Sequence, residues 1–179
     1  MQQLSNKMRC GMVMMGLLLN GPVLAADNMR LHGALVTAPC VIAPGDENVQ
    51  LDFSVVADKY LYLNGRIAGQ QFQLHLTDCD INAGNSVKVA FSGVENTQLP
   101  GLLALSKGSK ASGIAIGLET TAGKAIPLNN NPAIVQELSN GNNVITLQAY
   151  VQAEPEAMNN HTIGRGAFSA TLNFDMEYD

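Results

Sequence analysis

The last twelve residues, Phe168-Ser169-Ala170-Thr171-Leu172-Asn173-Phe174-Asp175-Met176-Glu177-Tyr178-Asp179, decide how the rest of the chain is read. Phe168, Ala170, Leu172, Phe174, Met176 and Tyr178 occupy alternate positions, with Ser, Thr, Asn, Asp and Glu between them. A period of two puts every apolar side chain on one face of a β-strand and every polar one on the other. The chain stops one residue after the pattern does. A strand at the edge of a sheet presents a row of free N–H and C=O groups, and nothing on the apolar face of this one blunts it. Periodicity alone fits the last edge strand of a sandwich.

Working outward, the same period recurs. Val49, Leu51, Phe53 and Val55 alternate with polar residues, and so do Phe72, Leu74 and Leu76, then Val87, Val89 and Phe91. Ile114, Ile116 and Leu118 repeat it, as do Ile145, Leu147, Ala149 and Val151. Turn-forming stretches separate them: Pro44-Gly45-Asp46, Asn64-Gly65, Asn82-Ala83-Gly84-Asn85, Pro100-Gly101, Asn129-Asn130-Asn131-Pro132 and Asn140-Gly141-Asn142-Asn143. Regular short strands without sustained helical periodicity predict an all-β protein, an antiparallel sandwich of one domain. Asp58 to Ile67 is the exception, because Tyr60, Leu61, Tyr62 and Leu63 do not alternate; an irregular connection or short helix with a packing role is expected there.

The other end of the chain reports its compartment. Lys7 and Arg9 precede an apolar run, Cys10 to Leu19, that is about half the roughly 20 residues a membrane span needs. Asn20-Gly21-Pro22 breaks it, and Val23-Leu24-Ala25 supplies small side chains for a signal peptidase. Residues 1–25 are therefore expected to be a signal peptide cut after Ala25, with cleavage after Ala26 the alternative. Cys10 leaves with it, and Met8-Arg9 before it do not suit a lipoprotein cysteine. The two basic residues removed leave eight against fifteen acidic ones, a net charge near −7. An acidic chain without a basic stripe or stacking aromatics excludes nucleic acid as a partner.

Two cysteines remain, Cys40 and Cys79, in a chain bound for an oxidising compartment, and a single disulfide is the economical reading. The alternatives are two free buried thiols or a metal site, and the latter lacks the clustered spacing zinc requires. His32, His75 and His161 are far apart in sequence and read as surface residues, His75 on the polar face of its strand. No Gly-x-Ser-x-Gly elbow occurs, and the serines lie in polar turns, so no catalytic residue is expected and the chain is not read as an enzyme. Asp78 and Asp80 flank Cys79, but two carboxylates without further oxygen ligands read as a solvated strand end, not a calcium site. No cofactor, metal or small-molecule substrate is expected.

A second short alternation, Met29, Leu31, Gly33 and Leu35, starts close to the new N-terminus, where an apolar strand needs something to pair with. Here the chain resembles the subunits of chaperone–usher fimbriae. The resemblance rests on Leu31-His32-Gly33-Ala34-Leu35-Val36-Thr37-Ala38-Pro39-Cys40, on Phe72-Gln73-Leu74-His75-Leu76-Thr77-Asp78-Cys79, and on a C-terminal motif with Gly166 fourteenth from the end, alternating apolar residues and penultimate Tyr178.

The resemblance implies an incomplete immunoglobulin-like β-sandwich lacking its final strand and completed by a donor strand. Residues 26–37 would be the donor extension leading into the first strand, and residues 38–179 the pilin domain. Met29, Leu31, Gly33 and Leu35 would be the inserted face of the donor. Gly166, Phe168, Ala170, Leu172, Phe174, Met176, Tyr178 and Asp179 would form the acceptor groove and the contact with the chaperone, the C-terminal carboxylate of Asp179 being held by basic residues. The implied partners are a periplasmic chaperone, an outer-membrane usher and neighbouring subunits, on the route through the periplasm to the cell-surface fimbrium. The short extension, with Glu154-Pro155-Glu156-Ala157 and Leu99-Pro100-Gly101, resembles minor and adaptor tip subunits of P-type pili. A pilus terminator and a self-complete secreted binding module are the other readings.

Overall fold

The structure is a computed structural model, and it describes residues 38–130 and 134–179. Among these residues eight strands run in chain order: β1 (Val41–Ile42), β2 (Gln70–Cys79), β3 (Ser86–Ser92), β4 (Ile114–Thr120), β5 (Ala125–Ile126), β6 (Ile134–Glu137), β7 (Gly141–Ala153) and β8 (Asn173–Tyr178). Among the described residues two short α-helices, α1 (Asp58–Asn64) and α2 (Pro155–Asn159), and one 3-10 turn (Asp46–Asn48) interrupt them. Five strands form one sheet in the order β1-β2-β7-β4-β5, and three form the other in the order β6-β3-β8. Every pairing is antiparallel.

The predicted alternations put the core between the sheets. Leu74 and Leu76 of β2, Ile145 and Leu147 of β7 and Ile116 and Leu118 of β4 meet Val87, Val89 and Phe91 of β3 in one buried cluster. Each is a β-branched, leucine or aromatic side chain suited to a half-buried pleated surface. Cys40 and Cys79 are joined by a disulfide that ties the start of β1 to the last residue of β2. His75 is half exposed on the polar face, where its Nδ1 lies 2.8 Å from Asp46 Oδ2, and Asp46 also accepts the His75 backbone N–H at 2.5 Å.

The non-alternating stretch forms α1. Leu61 is its buried residue, and Gly65 ends it at φ 77°, a conformation that glycine adopts without cost, with its N–H on Leu61 O at 2.7 Å. Just beyond, Arg66 makes a two-pronged ion pair with Glu119, at 3.0 and 2.7 Å, and its guanidinium lies 3.7 Å from the centre of the Tyr150 ring. Glu119 is buried, and this geometry satisfies both of its oxygens. The exit of α1 is thereby pinned to β4 and β7. Leu61 packs with Ala111, Ile114, Val151 and Ala153 in a second, smaller cluster.

Two expected strands differ. Val49 to Val55 is extended but pairs with no sheet among the described residues. Its alternation breaks at Ser54, whose φ of 54° and N–H bond to Asp52 Oδ1 at 2.7 Å turn Val56 inward and leave Val55 92% exposed. The C-terminal strand, expected from Phe168, joins a ladder only from Asn173, because its partner β3 ends at Ser92. The inward and outward faces nevertheless alternate without interruption from Phe168 to Tyr178.

Candidate strand-accepting groove

Between the two extended segments lies an open groove of about 1080 Å³. One wall is Val49 to Val56 and the other runs from Gly166 to Phe174, with Leu74, Phe91, Leu103, Ile116, Leu118 and Ala149 on its floor. The floor is the sandwich core itself. Phe168, Ala170, Leu172, Phe174, Met176 and Tyr178 pack against that core but stay only partly buried, and the first four line the opening. Burial still pushes the Tyr178 hydroxyl above its ordinary range. Met176 and Tyr178 continue the same face beyond the groove lining, whereas Asp179 is exposed and bonds to the β3 side.

The hydrogen bonding of that edge shows what it lacks. Asp179 donates its N–H to Ser86 O at 3.1 Å and accepts Asn85 N–H at 2.9 Å. In an antiparallel ladder the residues that bond inward alternate with residues that bond outward, so Phe174, Met176 and Tyr178 aim their backbone groups away from β3. Upstream the same alternation holds. Ser169 O accepts Ser106 N–H at 2.8 Å and Ala167 O accepts Lys110 N–H at 2.8 Å, while Phe168, Ala170 and Leu172 have no backbone partner among the described residues. The facing wall is similar, for no backbone–backbone bond is formed by Val49, Gln50, Leu51, Phe53, Val55 or Val56 among the described residues. Two unpaired edges thus face each other across an apolar floor. That arrangement matches the chemistry of an added strand, with main-chain bonds on both sides and alternate side chains pointing down.

Gly166 sets the second wall in place. Its φ of 147° is in the region that side-chain-bearing residues avoid, and it lets the backbone close onto the loop carrying Lys110 and Ala111. At the other end Asp179 is bound by its own chain. Lys88 Nζ lies 2.5 Å from Asp179 Oδ2, and this contact, with Glu177 nearby, raises the Lys88 ammonium above its usual range. Asn96 Nδ2 donates to Glu154 at 2.6 Å and Gln98 Nε2 to Glu156 at 3.1 Å, so the Leu99-Pro100-Gly101 and Glu154-Pro155-Glu156-Ala157 stretches sit side by side.

The sequence did not reveal the first wall as a wall, since its alternation reads like any strand. Nor did it reveal that α1 bridges the two walls. Met29, Leu31, Gly33 and Leu35 lie outside the described residues. Among the described residues no three His, Cys, Asp or Glu side chains gather as a metal would require.

The fold and the groove define a β-sandwich with the place of one strand open. A family model described as "Fimbrial protein" matches residues 29–179, and the chain belongs to that family. The fimbrial-like protein YfcP of Escherichia coli K12 is 34% identical over 164 residues, covering 90% of this chain and 89% of that one. The fimbrial adapter PapK of Escherichia coli is 28% identical over 163 residues, covering 88% and 90%. A chain of a solved chaperone–usher pilus superposes with a TM-score of 0.68 at 25% identity, covering 89% of this chain and all of that one. The chain is a structural subunit of a chaperone–usher pilus, a surface fimbrial component that assembles with other subunits, and not an enzyme.

Proposed function

We propose that the groove receives an extended donor strand twice: first from a periplasmic chaperone, then, at the outer-membrane usher, from the N-terminal extension of the next subunit. The observation that carries this is the edge from Phe168 to Phe174, its groove-side backbone groups unpaired among the described residues, facing the unpaired segment Val49 to Val56 over the core. Residues 1–25 are the signal peptide, residues 26–37 the extension with Met29, Leu31, Gly33 and Leu35 as its inserted face, and residues 38–179 the pilin domain. The C-terminal carboxylate of Asp179, as distinct from its side chain, is the anchor for the chaperone. The likeness to the adapter PapK and the short extension support a place as a minor or adaptor subunit.

Co-purification from periplasm tests this reading. A one-to-one complex with a periplasmic chaperone is expected; a free, stable monomer would count against it. A complementary strand fused after Asp179 should raise the melting temperature, since whatever binds the folded state stabilises it by linkage. An unchanged melting temperature with the groove occupied would contradict an incomplete fold.

A further inference from the structure

The two ends of the sandwich differ in charge. At one end the described chain begins and also finishes: Pro39 and Asp179 both lie against Gly84, where a Cβ would come within 2.7 Å of Pro39 Cγ and 3.0 Å of Asp179 O. Pro39 O accepts the Asp80 N–H at 2.8 Å, and Glu137 is the register partner of Ser86, whose carbonyl takes the Asp179 N–H. Asp78, Asp80, Glu137, Glu177 and Asp179 are exposed around this point, together with the terminal carboxylate. Lys88, opposite Glu177 in the ladder, is already paired with Asp179 Oδ2. The end at which the chain enters the domain is an acidic face.

The other end is built by α1 and the start of the second wall. Asp58 takes Arg165 Nη2 at 2.6 Å and Nε at 2.8 Å, and Tyr62 Oη accepts Ile163 N–H at 3.0 Å, so the two walls of the groove converge here. The loop of residues 106–110 joins them, because Lys110 donates its N–H to Ala167 O and its side chain abuts Gly166. Lys59, Lys107 and Lys110 are exposed, and none of them forms an ion pair among the described residues. The carboxylates of this end are engaged: Asp58 by Arg165, Glu154 by Asn96 and Glu156 by Gln98. Val55 and Leu63 add apolar surface beside the lysines, at 92% and 84% exposure.

The groove links the two ends. Val49 to Val56 runs into α1 and Gly166 to Phe174 leaves from there, so a strand between them is antiparallel to only one wall. The second wall continues into β8 and offers the longer edge, and antiparallel pairing is slightly the more stable kind. A strand antiparallel to it emerges with its C-terminal end at α1. For an extension with this chain's spacing, the path from Leu35 to Pro39 spans at most about 14 Å. The acidic face of the donor copy is therefore tethered within that reach of Lys59, Lys107 and Lys110.

We propose that consecutive subunits meet in an electrostatic joint, in which the acidic face of a second copy, around Asp78, Asp80 and Glu137, docks on Lys59, Lys107 and Lys110 of the copy that accepts its strand. The inserted strand supplies the attachment and the joint fixes the angle between the two bodies. The inference rests on the donor-strand reading above. Both faces are exposed, so the joint weakens with salt while the inserted strand does not.

The test uses pairs formed by the mature protein. Hydrogen exchange of the Ala170 to Phe174 amides reports the inserted strand, and carbodiimide coupling of lysine to carboxylate, mapped by mass spectrometry, reports the joint. Lys107 or Lys110 of one copy should couple to Asp80 or Glu137 of the other, with the Lys88–Asp179 pair inside each copy as the internal control. The yield should fall about fivefold between about 0.02 and about 0.5 M salt, with the amides still protected. Lys107→Glu with Lys110→Glu should abolish coupling at these positions, and pairing that acceptor with an Asp80→Lys, Glu137→Lys donor should restore it with the roles exchanged. If the amides are protected but no lysine of the α1 end couples to the other copy, if salt leaves the yield unchanged, or if the exchanged pair stays uncoupled, the joint is wrong and the groove reading stands. If the amides are never protected, both fall.

Discussion

A Cβ on Gly166 would lie 2.5 Å from the Cβ of Lys110, and the Lys110 carbonyl carbon and Ala111 nitrogen are only 3.2 and 3.3 Å away. Glycine is required there on two independent counts, its positive φ and this close approach. Gly166→Ala should lower stability by about 1–3 kcal/mol from the backbone alone, and it should loosen the bonds from Ala167 and Ser169 to the loop of residues 106–111. Denaturant unfolding checks the first, and hydrogen exchange at Ser106 and Lys110 the second. An unchanged midpoint would show that the wall tolerates a side chain.

The Cys40–Cys79 disulfide closes a loop with a sequence separation of 39. Replacing both cysteines by serine should destabilise by on the order of 4 kcal/mol in the chain-entropy description. Mass spectrometry of the non-reduced protein should find no free thiol in residues 38–179. Two free thiols would remove the bridge and the prediction with it.

Asp46 is held by the backbone N–H and the ring of His75, and the backbone bond is the main reason its carboxyl lies below the ordinary range of about 3.8. A lowered folded-state pKa means that the contribution is fully present above the unfolded value and disappears as pH falls through the folded one. The turn before the first wall should therefore stay fastened at neutral pH and release only below about pH 4. Asp46→Asn should lower the unfolding midpoint at pH 6, and the difference from wild type should shrink on acidification through that range. A difference that grew towards low pH would reverse the assignment.

The donor and acceptor ends should fail in different ways. In the proposed donor role, Leu31 would bring an apolar side chain worth roughly 1.5–3 kcal/mol on full burial, but only once the extension lies in another subunit's groove. Gly33→Lys should leave chaperone capture intact and block exchange, because a larger side chain lifts the strand from its partners. Phe174→Asp puts a charge on the core edge opposite Phe91 and should abolish capture itself. Loss of the chaperone complex by Gly33→Lys, or exchange at the wild-type rate, would undo this division of roles.

The positions of β2, β3, β4 and β7 were readable from periodicity, because side-chain alternation is a local property of a strand buried on one face. The inward face from Phe168 to Tyr178 was readable for the same reason, the turns at Asn64-Gly65 and Asn140-Gly141 from their residue types, and the lost alternation at Tyr60 to Leu63 left an irregular connection or a short helix, of which the structure has the helix. The disulfide followed from there being two cysteines beyond residues 1–25, the stretch expected to be a signal peptide. Val49 to Val55 misled because pattern reports which way a side chain faces, not whether the backbone has a partner. One left-handed residue, Ser54, was enough to shift the register.

Which residues face the core, where the chain turns and which cysteines are free to pair could thus be read without coordinates, since each depends on neighbours a few residues apart. That Val49 to Val56 and Gly166 to Phe174 are opposite walls of one groove, that Phe53 meets Phe168 and that Arg165 reaches Asp58 came from the three-dimensional fold alone. Those pairs are more than a hundred residues apart, and what brings them together is the packing of two sheets around a common core, which no local pattern records.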